Sequence, residues 1–196
     1  TPSGARVPVS RRYLKELKPT VFDDLIAMNA LYRPGPMQFI DDYIARKHGK
    51  ETVTYEHPGL KAALESTYGV LVYQEQFMQV SKDMCVFTGG QADTLRKAIG
   101  KKQRETMAKM KTAFIDGMIE HSKVTRDFAE KFWVRMDAFA DYGFNKGHST
   151  PYAMIAYQTA YLKANYPSAF MSAVMTSDVD DTDRLAIEIA ECAHMG

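Results

Sequence analysis

The chain has 196 residues, of which 45% are hydrophobic and 25% are charged, and its 25 Lys and Arg against 24 Asp and Glu leave a net charge of +1. This is the composition of an ordinary globular protein of one domain, and it excludes collagen-like, low-complexity and disordered chains. The near-neutral sum also excludes a chain that is basic throughout, although it allows a locally basic face.

Hydrophobic periodicity, with Gly and Pro as breaks, predicts helices along most of the chain. In chain order, the predicted helices run from Thr20 to before Pro34, then over 37–47, 75–87, 92–99, 104–120, 125–142, 151–165, 169–175 and 184–194. Strands that alternate with helices, as in a parallel-sheet fold, are not indicated. The expected fold class is therefore mainly α: an irregular multi-helix domain with at most a short β pair.

The ends of several helices carry specific signals. Thr20 is expected to cap the first helix, because acidic residues follow it in the opening turn, and Thr125 is expected to cap the helix that it precedes. The pair Gly89-Gly90 is expected to separate two helices. Pro151 suits the first turn of a helix that is capped by Ser149 or Thr150. The apolar run 70–73 fits either a strand or the start of a helix, and periodicity leaves both open.

Nothing in the sequence indicates a membrane or secreted protein. No apolar run approaches the ~20 residues of a membrane-spanning helix, and the first twelve residues lack the apolar core of a signal peptide. Two cysteines, Cys85 and Cys192, are too few for a disulfide-dense secreted fold, so a reducing compartment is expected. Because the chain begins with Thr instead of Met, we expect it to be a fragment of a larger protein, and removal of an initiator Met is the alternative.

Charge is distributed unevenly. Residues 95–111 hold seven basic residues against one acidic residue, a net +6, whereas 178–191 hold six acidic against one basic, a net −5. The cations lie on both sides of a helix end at Gly100, so they could converge on one anion. The free N–H groups at Gly89-Gly90 are expected to add to that site. Phosphate is the natural ligand for such a set, and an inert solvated face is the alternative.

A second polar constellation occupies residues 142–152. Two glycines flank a short loop that leads into a predicted helix. Asn145, Lys146, His148 and Ser149 would present donors beside the positive end of this helix. Tyr152 adds a flat face and a hydroxyl one turn later. The sequence favours either a site for a triphosphate or an ordinary polar turn between helices.

Equipment for independent catalysis is not indicated. The segment around Gly100 is not a Walker loop, because Lys102 stands where a Ser or Thr would hold magnesium. The five histidines are scattered, and the acidic pairs 23–24 and 41–42 are adjacent in sequence and so diverge on a helix. We therefore predict no catalytic residue and no metal site within this chain.

Four strings resemble a known family. They are 31–37 (LYRPGPM), 68–76 (YGVLVYQEQ), 95–102 (LRKAIGKK) and 142–149 (YGFNKGHS). Together, in this order, they resemble the C-family replicative DNA polymerases of bacteria, the α subunit of DNA polymerase III, and within it the fingers domain. The likeness extends from about Leu14 to the end. Lys97 stands where many members have Arg, and Gly147 where many have Ser.

The resemblance implies a role in binding the incoming deoxynucleotide and the template while another domain performs the chemistry. The residues it places at the nucleotide are Arg96, Lys97, Lys101, Lys102, Asn145, Lys146, His148, Ser149 and Tyr152. Arg33 and Arg104 are expected to contact DNA. For Arg33, a role in holding the fold together is an equally good hypothesis. Two Mg²⁺ ions would be held by aspartates of the palm domain, outside this chain.

The implied partners are primer–template DNA and deoxynucleoside triphosphates. The sliding clamp, the proofreading exonuclease and a clamp-loader subunit would be reached through the full-length chain. The implied location is the bacterial cytoplasm, in association with the nucleoid. A non-catalytic helical DNA-binding module and a scaffold domain that docks other subunits remain alternatives. A nucleotide site requires the Gly100 region and the 142–149 region to approach each other in the fold.

Overall fold

The computed structural model describes residues 8–101, 103–139 and 141–195, and these contain eleven α-helices. They are α1 (Pro8–Leu17), α2 (Phe22–Leu31), α3 (Ile40–Lys47), α4 (Lys61–Leu64), α5 (Gln74–Cys85), α6 (Gly89–Gly100), α7 (Arg104–Ser122), α8 (Arg126–Phe139), α9 (Lys146–Asn165), α10 (Pro167–Ser177) and α11 (Thr182–Met195). Three 3₁₀ turns cover Pro36–Phe39, Pro58–Leu60 and Glu65–Thr67. The predicted mainly α class is confirmed.

Two hydrophobic cores organise these helices. The first lies between α4, α5, α6, α7 and α8, and its centre is Phe114, whose ring lies 5.3 Å from that of Trp133 and 6.3 Å from that of Phe77. The second joins α1, α2 and α3 to the start of α9 through residues such as Leu31 and Tyr43. Segment 70–77 contributes to both cores, so it fixes one relative to the other.

Segment 70–73 is extended and precedes α5. Tyr73 has φ −110° and ψ 143°, and it forms a parallel bridge with Phe144, the one isolated bridge among the described residues. The sequence left strand and helix start open here, and the structure decides for extended chain. The bridge places the start of α5 directly beside the loop that leads into α9.

Three predicted helix starts are wrong in position. Val21, with an extended backbone (φ −131°, ψ 156°), rather than Thr20 is the N-cap of α2, and the Asp24 carboxylate accepts the N–H groups of both residues (3.3 and 2.9 Å). The helix expected from residue 37 begins as a 3₁₀ turn, and its α-helical part starts at Ile40. Asn145 caps α9, and Pro151 therefore lies inside this helix.

The expected break between two helices exists, but it lies at residues 86–88, and both glycines belong to α6. Thr88 caps this helix and Gln91 completes a capping box: the Thr88 Oγ1 accepts the Gln91 N–H, and the Gln91 carboxamide accepts the Thr88 N–H. A strong cap of this kind offsets the low helix propensity of glycine. The predicted end at Gly100 is confirmed.

The C-terminal third of the chain is more open than the rest. Beyond Ala153, α9 contacts Phe22 through Tyr157 and pairs Lys163 with Glu191 of α11, and among the described residues of α10 only Met171 is buried. In α11, no residue is buried in this structure. None of the helices in the described ranges is both long and apolar enough to cross a bilayer.

Candidate functional site

The N-terminus of α5 holds the loop that leads into α9. The Gln74 backbone N–H donates to the Phe144 carbonyl (2.9 Å), and the Phe144 N–H donates to the Val72 carbonyl (3.1 Å). The Gln74 side-chain amide donates to the Gly143 carbonyl (3.1 Å). The Glu75 carboxylate accepts the backbone N–H of Lys146 at 3.0 and 3.1 Å. Gly143, Phe144 and Lys146 are thereby fixed against one helix end.

The C-terminal end of α6 reaches the same place. A Cβ built on Gly100 would lie 3.3 Å from the Gln74 Nε2 and 3.5 Å from its Oε1. Gln74 therefore lies between Gly100 on one side and Gly143 on the other. The two segments that the sequence singled out, remote in the chain, approach each other at this glutamine.

The cations of α6 are organised by one carboxylate. Asp93 Oδ1 accepts from both the Nε and the Nη2 of Arg96 (3.0 and 2.8 Å), and its Oδ2 pairs with the Lys97 Nζ at 2.7 Å. The hydrogen bonds from Lys97 and then Arg96 lower the pKa of Asp93. The geometry is side-on, so the Nη1 group of Arg96 keeps its hydrogen-bonding capacity toward a ligand.

The remaining cations near Gly100 are placed differently. Lys101 is the exposed C-cap of α6, and Lys102 lies outside the described residues. Arg104 begins α7 and pairs with Asp137 of α8 at 2.6 Å and with Asp141 at 3.8 Å. The pairing with Asp137 joins α7 to α8. The contact of Arg104 with DNA stays a prediction.

The N-terminus of α6 does not contribute to this group. At 1.5 Å per residue, the twelve residues of α6 separate its first N–H groups from Gly100 by about 17 Å. The Thr88 side chain also occupies one of these N–H groups. The expectation that Gly89-Gly90 adds to an anion site around Gly100 is therefore wrong.

The start of α9 presents a basic and an aromatic side chain. The Lys146 Nζ lies 2.8 Å from the Asp23 Oδ1 and 5.4 Å from the centre of the Tyr73 ring. The His148 ring contacts the rings of Phe144 (5.7 Å between centres) and Tyr152 (5.0 Å), and it is tilted by 56° and 59° relative to them.

Two residues near the start of α9 are exposed, and a third caps the helix. His148 is exposed, and Tyr152 is 55% exposed. Asn145 is engaged as the cap, with its Oδ1 accepting the His148 N–H at 2.7 Å.

Ser149 is placed otherwise than the sequence implied. It is fully buried; its hydroxyl donates to the Ile26 carbonyl (2.7 Å) and accepts from the Asn29 side-chain amide (3.0 Å). A side chain with no exposed surface and two internal partners does not contact a nucleotide in this conformation. Ser149 instead fixes the first turns of α9 against α2.

Arg33 also has an architectural position. Its Nη2 donates to the Tyr142 carbonyl (2.7 Å), its Nε donates to the Ala30 carbonyl (2.9 Å), and its guanidinium lies 4.3 Å from the centre of the Phe144 ring. Burial lowers the pKa of this guanidinium. Of the two readings left open by the sequence, these contacts favour architecture over DNA contact.

Sequence reasoning missed three residues of this site. Asp93 was passed over, although its i+3 and i+4 spacing to Arg96 and Lys97 on a helix was a usable signal. Gln74 and Glu75 were quoted as part of a motif, but no local pattern assigned them a contact. Their partners are about seventy positions away, so only the folded chain reveals them.

Groups suited to a metal are not present in the described ranges: no three His, Cys, Asp or Glu side chains there are arranged to hold an ion. The carboxylates nearest the site already have partners, with Asp93 bound by two cations and Glu75 by a backbone N–H. These side chains do not fit the role of Mg²⁺ ligands.

Comparison with known proteins decides the family. The bacterial DNA polymerase III alpha subunit finger domain matches this chain over residues 8–122. The chain belongs to this finger domain family. The match covers Arg33, Gln74 and the basic end of α6, and it ends before the loop that leads into α9.

Curated relatives extend the likeness of this finger domain over nearly all its length. DNA polymerase III subunit alpha of Borreliella burgdorferi is 48% identical over 186 residues, 95% of the chain. The corresponding subunits of Pseudomonas aeruginosa and Escherichia coli are 45% identical over 192 residues and 46% identical over 190 residues, covering 94% and 93% of the chain. In each case the chain spans 16% of the relative's length.

Proposed function

We propose that this finger domain binds the triphosphate and base of the incoming deoxynucleotide, and the template beside it, during DNA-templated nucleotidyl transfer by the full-length polymerase. The observation that carries the proposal is the approach of two remote segments at Gln74, one ending in the cations of α6 and the other opening α9. Family membership supports it, because the relatives are replicative polymerase subunits.

The chemistry suits a binding module without an acid or base of its own. In phosphoryl transfer, negative charge grows on the non-bridging oxygens and on the departing pyrophosphate. Arg96, with its Nη1 group available, and Lys97 would meet the β- and γ-phosphates, and Lys101 and Lys102 would extend the positive field. Fixed cations of this kind stabilise the transition state more than the ground state, and so raise the rate.

The start of α9 would contact both the phosphates and the base of the nucleotide. Lys146 would exchange Asp23 for a phosphate oxygen, and the exposed rings of His148 and Tyr152 offer a surface on which a base can stack. Mg²⁺ would supply charge neutralisation for the triphosphate, held by palm aspartates outside this chain. The proposed location is the bacterial cytoplasm at the nucleoid, and the proposed partners are primer–template DNA and the clamp, exonuclease and clamp-loader subunits.

Replacing Lys97 by Ala in a full-length polymerase that carries this domain tests the proposal. We expect the KM for deoxynucleotide to rise about tenfold, the equivalent of one charge-assisted hydrogen bond, with the affinity for primer–template unchanged. Lys109→Ala is the control, because Lys109 is exposed on α7 and pairs only with Glu105 (2.7 Å) among the ion pairs seen. A loss of salt-sensitive DNA affinity without a change in this KM would instead support a DNA-binding module.

The 196-residue chain by itself is expected to incorporate no nucleotide, because the carboxylates that hold Mg²⁺ would lie elsewhere in the polymerase. The measurement is primer extension with purified chain, Mg²⁺ and all four deoxynucleotides, beside the full-length enzyme. Primer extension by the purified chain would contradict the proposal that another domain supplies the Mg²⁺-binding carboxylates.

Asp93→Asn is expected to lower the KM for deoxynucleotide about threefold in the full-length enzyme. The carboxylate repels the triphosphate, and across roughly 7 Å of water this repulsion amounts to about 0.6 kcal/mol per unit charge. The ion pairs of Asp93 with Arg96 and Lys97 are partly exposed, so they restrict these two side chains only weakly. Their loss should therefore not cancel the gain from removing the repulsion. Steady-state kinetics at two salt concentrations measures the effect, which salt should reduce. A raised KM would show that Asp93 positions the cations instead.

A further inference from the structure

We propose that Gln74 is a positioning residue that sets the spacing between the basic end of α6 and the loop that opens α9. The inference rests on the proposed nucleotide-binding function and adds a residue to it that contacts no substrate. Gln74 is half-buried at the first position of α5, and it carries no charge that a phosphate would attract.

The first half of the argument is the attachment to the loop. The main chain of Gln74 bonds to Phe144, and its side chain bonds to Gly143 over 69 positions of sequence. Glu75, next to it, holds the backbone of Lys146. Any shift of the α5 N-terminus therefore moves the loop from which Lys146 and His148 project.

The second half is the packing against α6. Gly100 presents bare backbone to the Gln74 carboxamide, and a Cβ there would come within 3.3 Å of the Nε2. Four residues earlier on the same rigid helix lies Arg96, one helical turn away. The Gln74 amide lies between Gly100 and Gly143, so its size determines how closely the helical turn that carries Arg96 approaches the start of α9.

The physical requirement is specific to a carboxamide. A leucine has similar bulk but no donor, so it leaves the Gly143 carbonyl without this partner. A glutamate keeps the shape but replaces the donor with an oxygen that faces the carbonyl oxygen at about the same 3.1 Å, and it adds a negative charge near the phosphates. We therefore expect Gln74→Glu to have a larger effect than Gln74→Leu.

The experiment uses the full-length polymerase with primer–template and single-nucleotide incorporation under pre-steady-state conditions. Gln74→Leu is expected to raise the apparent Kd for deoxynucleotide about fivefold to tenfold, in line with the loss of one neutral hydrogen bond at a packed contact. The burst amplitude, which reports the folded and active fraction, should stay the same. Gln79→Leu is the control, because Gln79 lies on the same helix and its amide donates to Asp83, away from both segments.

Three comparisons make the outcome decisive. Arg96→Ala with a normal Kd would overturn the proposed function itself, whereas a raised Kd for Arg96→Ala and a normal Kd for Gln74→Leu would overturn only the role of Gln74. If Gln74→Leu abolishes the burst, Gly100→Ala decides, because its Cβ presses on the same amide. A raised Kd for Gly100→Ala at full amplitude supports the proposal, and an unchanged one overturns it.

Discussion

Replacing Arg96 by Ala in the full-length polymerase is expected to lower kcat/KM for deoxynucleotide incorporation by about 100-fold. A hydrogen bond between charged partners contributes about 1.5–3 kcal/mol, and each 1.36 kcal/mol corresponds to a factor of ten in rate. Arg96 lies in the last turns of α6, and its Nε and Nη2 donate to Asp93, so its Nη1 group is left to donate to a phosphate.

The measurement is single-nucleotide incorporation on a defined primer–template, with kcat and KM obtained separately. Arg126→Ala is the matched control: Arg126 pairs with Asp116 at 3.1 Å and opens α8 at the end remote from the loop that leads into α9. Arg96→Lys should recover part of the loss, because lysine supplies the charge without the bidentate geometry. Equal kcat/KM values for Arg96→Ala and the unaltered enzyme would refute the assignment of this residue.

Gly143→Ala is expected to destabilise the fold by about 1–3 kcal/mol. A Cβ at this position would come within 2.6 Å of the Phe139 Cε1 and 2.8 Å of its Cζ. Phe139 cannot give way easily, because it is 1% exposed, lies parallel to the Phe77 ring at 6.4 Å and meets the edge of Tyr142 at 5.3 Å. The added methyl must shift either the first core or the loop that leads into α9.

Thermal unfolding of the chain measures this effect. For about 200 residues, 1 kcal/mol corresponds to roughly 2–4 °C in Tm, so a decrease of several degrees is expected. The matched control is Gly90→Ala, since a Cβ there has no atom within 4 Å and the residue lies in the first turn of α6. That change should leave Tm unchanged or raise it, because alanine favours helix over glycine by up to about 1 kcal/mol. Equal Tm values for the two variants would contradict this account of Gly143.

Local signals predicted the helices well where the deciding residues are close in sequence. The end of α6 at Gly100 and the Thr125 cap of α8, whose Oγ1 accepts the Phe128 N–H at 3.2 Å, follow from a few adjacent residues. The starts of α2 and α6 were misplaced because a side chain three residues beyond each actual cap helps to fix where the helix begins: Asp24 accepts the Val21 N–H, and Gln91 accepts the Thr88 N–H. In α6 the Thr88–Gln91 capping box outweighs the helix-breaking tendency of Gly89-Gly90.

The same distinction applies to the candidate site. Arg96, Lys97, Lys146 and His148 are recognisable in the sequence, because their charge, their chemistry and their motifs are local properties. The buried position of Ser149 cannot be recognised in the sequence, because its hydroxyl donates to the Ile26 carbonyl, 123 positions away. The role of Arg33 depends in the same way on the Tyr142 carbonyl, 109 positions away.

By itself, the sequence determined the mainly α class, the family likeness and the two basic or polar segments, because periodicity, composition and short motifs are all read within a few turns of chain. Only the tertiary structure decided that these segments approach each other at Gln74, that Arg33 donates to the Tyr142 carbonyl and that Ser149 is buried. Such contacts form when hydrophobic burial brings distant backbone together, and the hydrogen bonds made there satisfy polar groups that no neighbour in the sequence could reach.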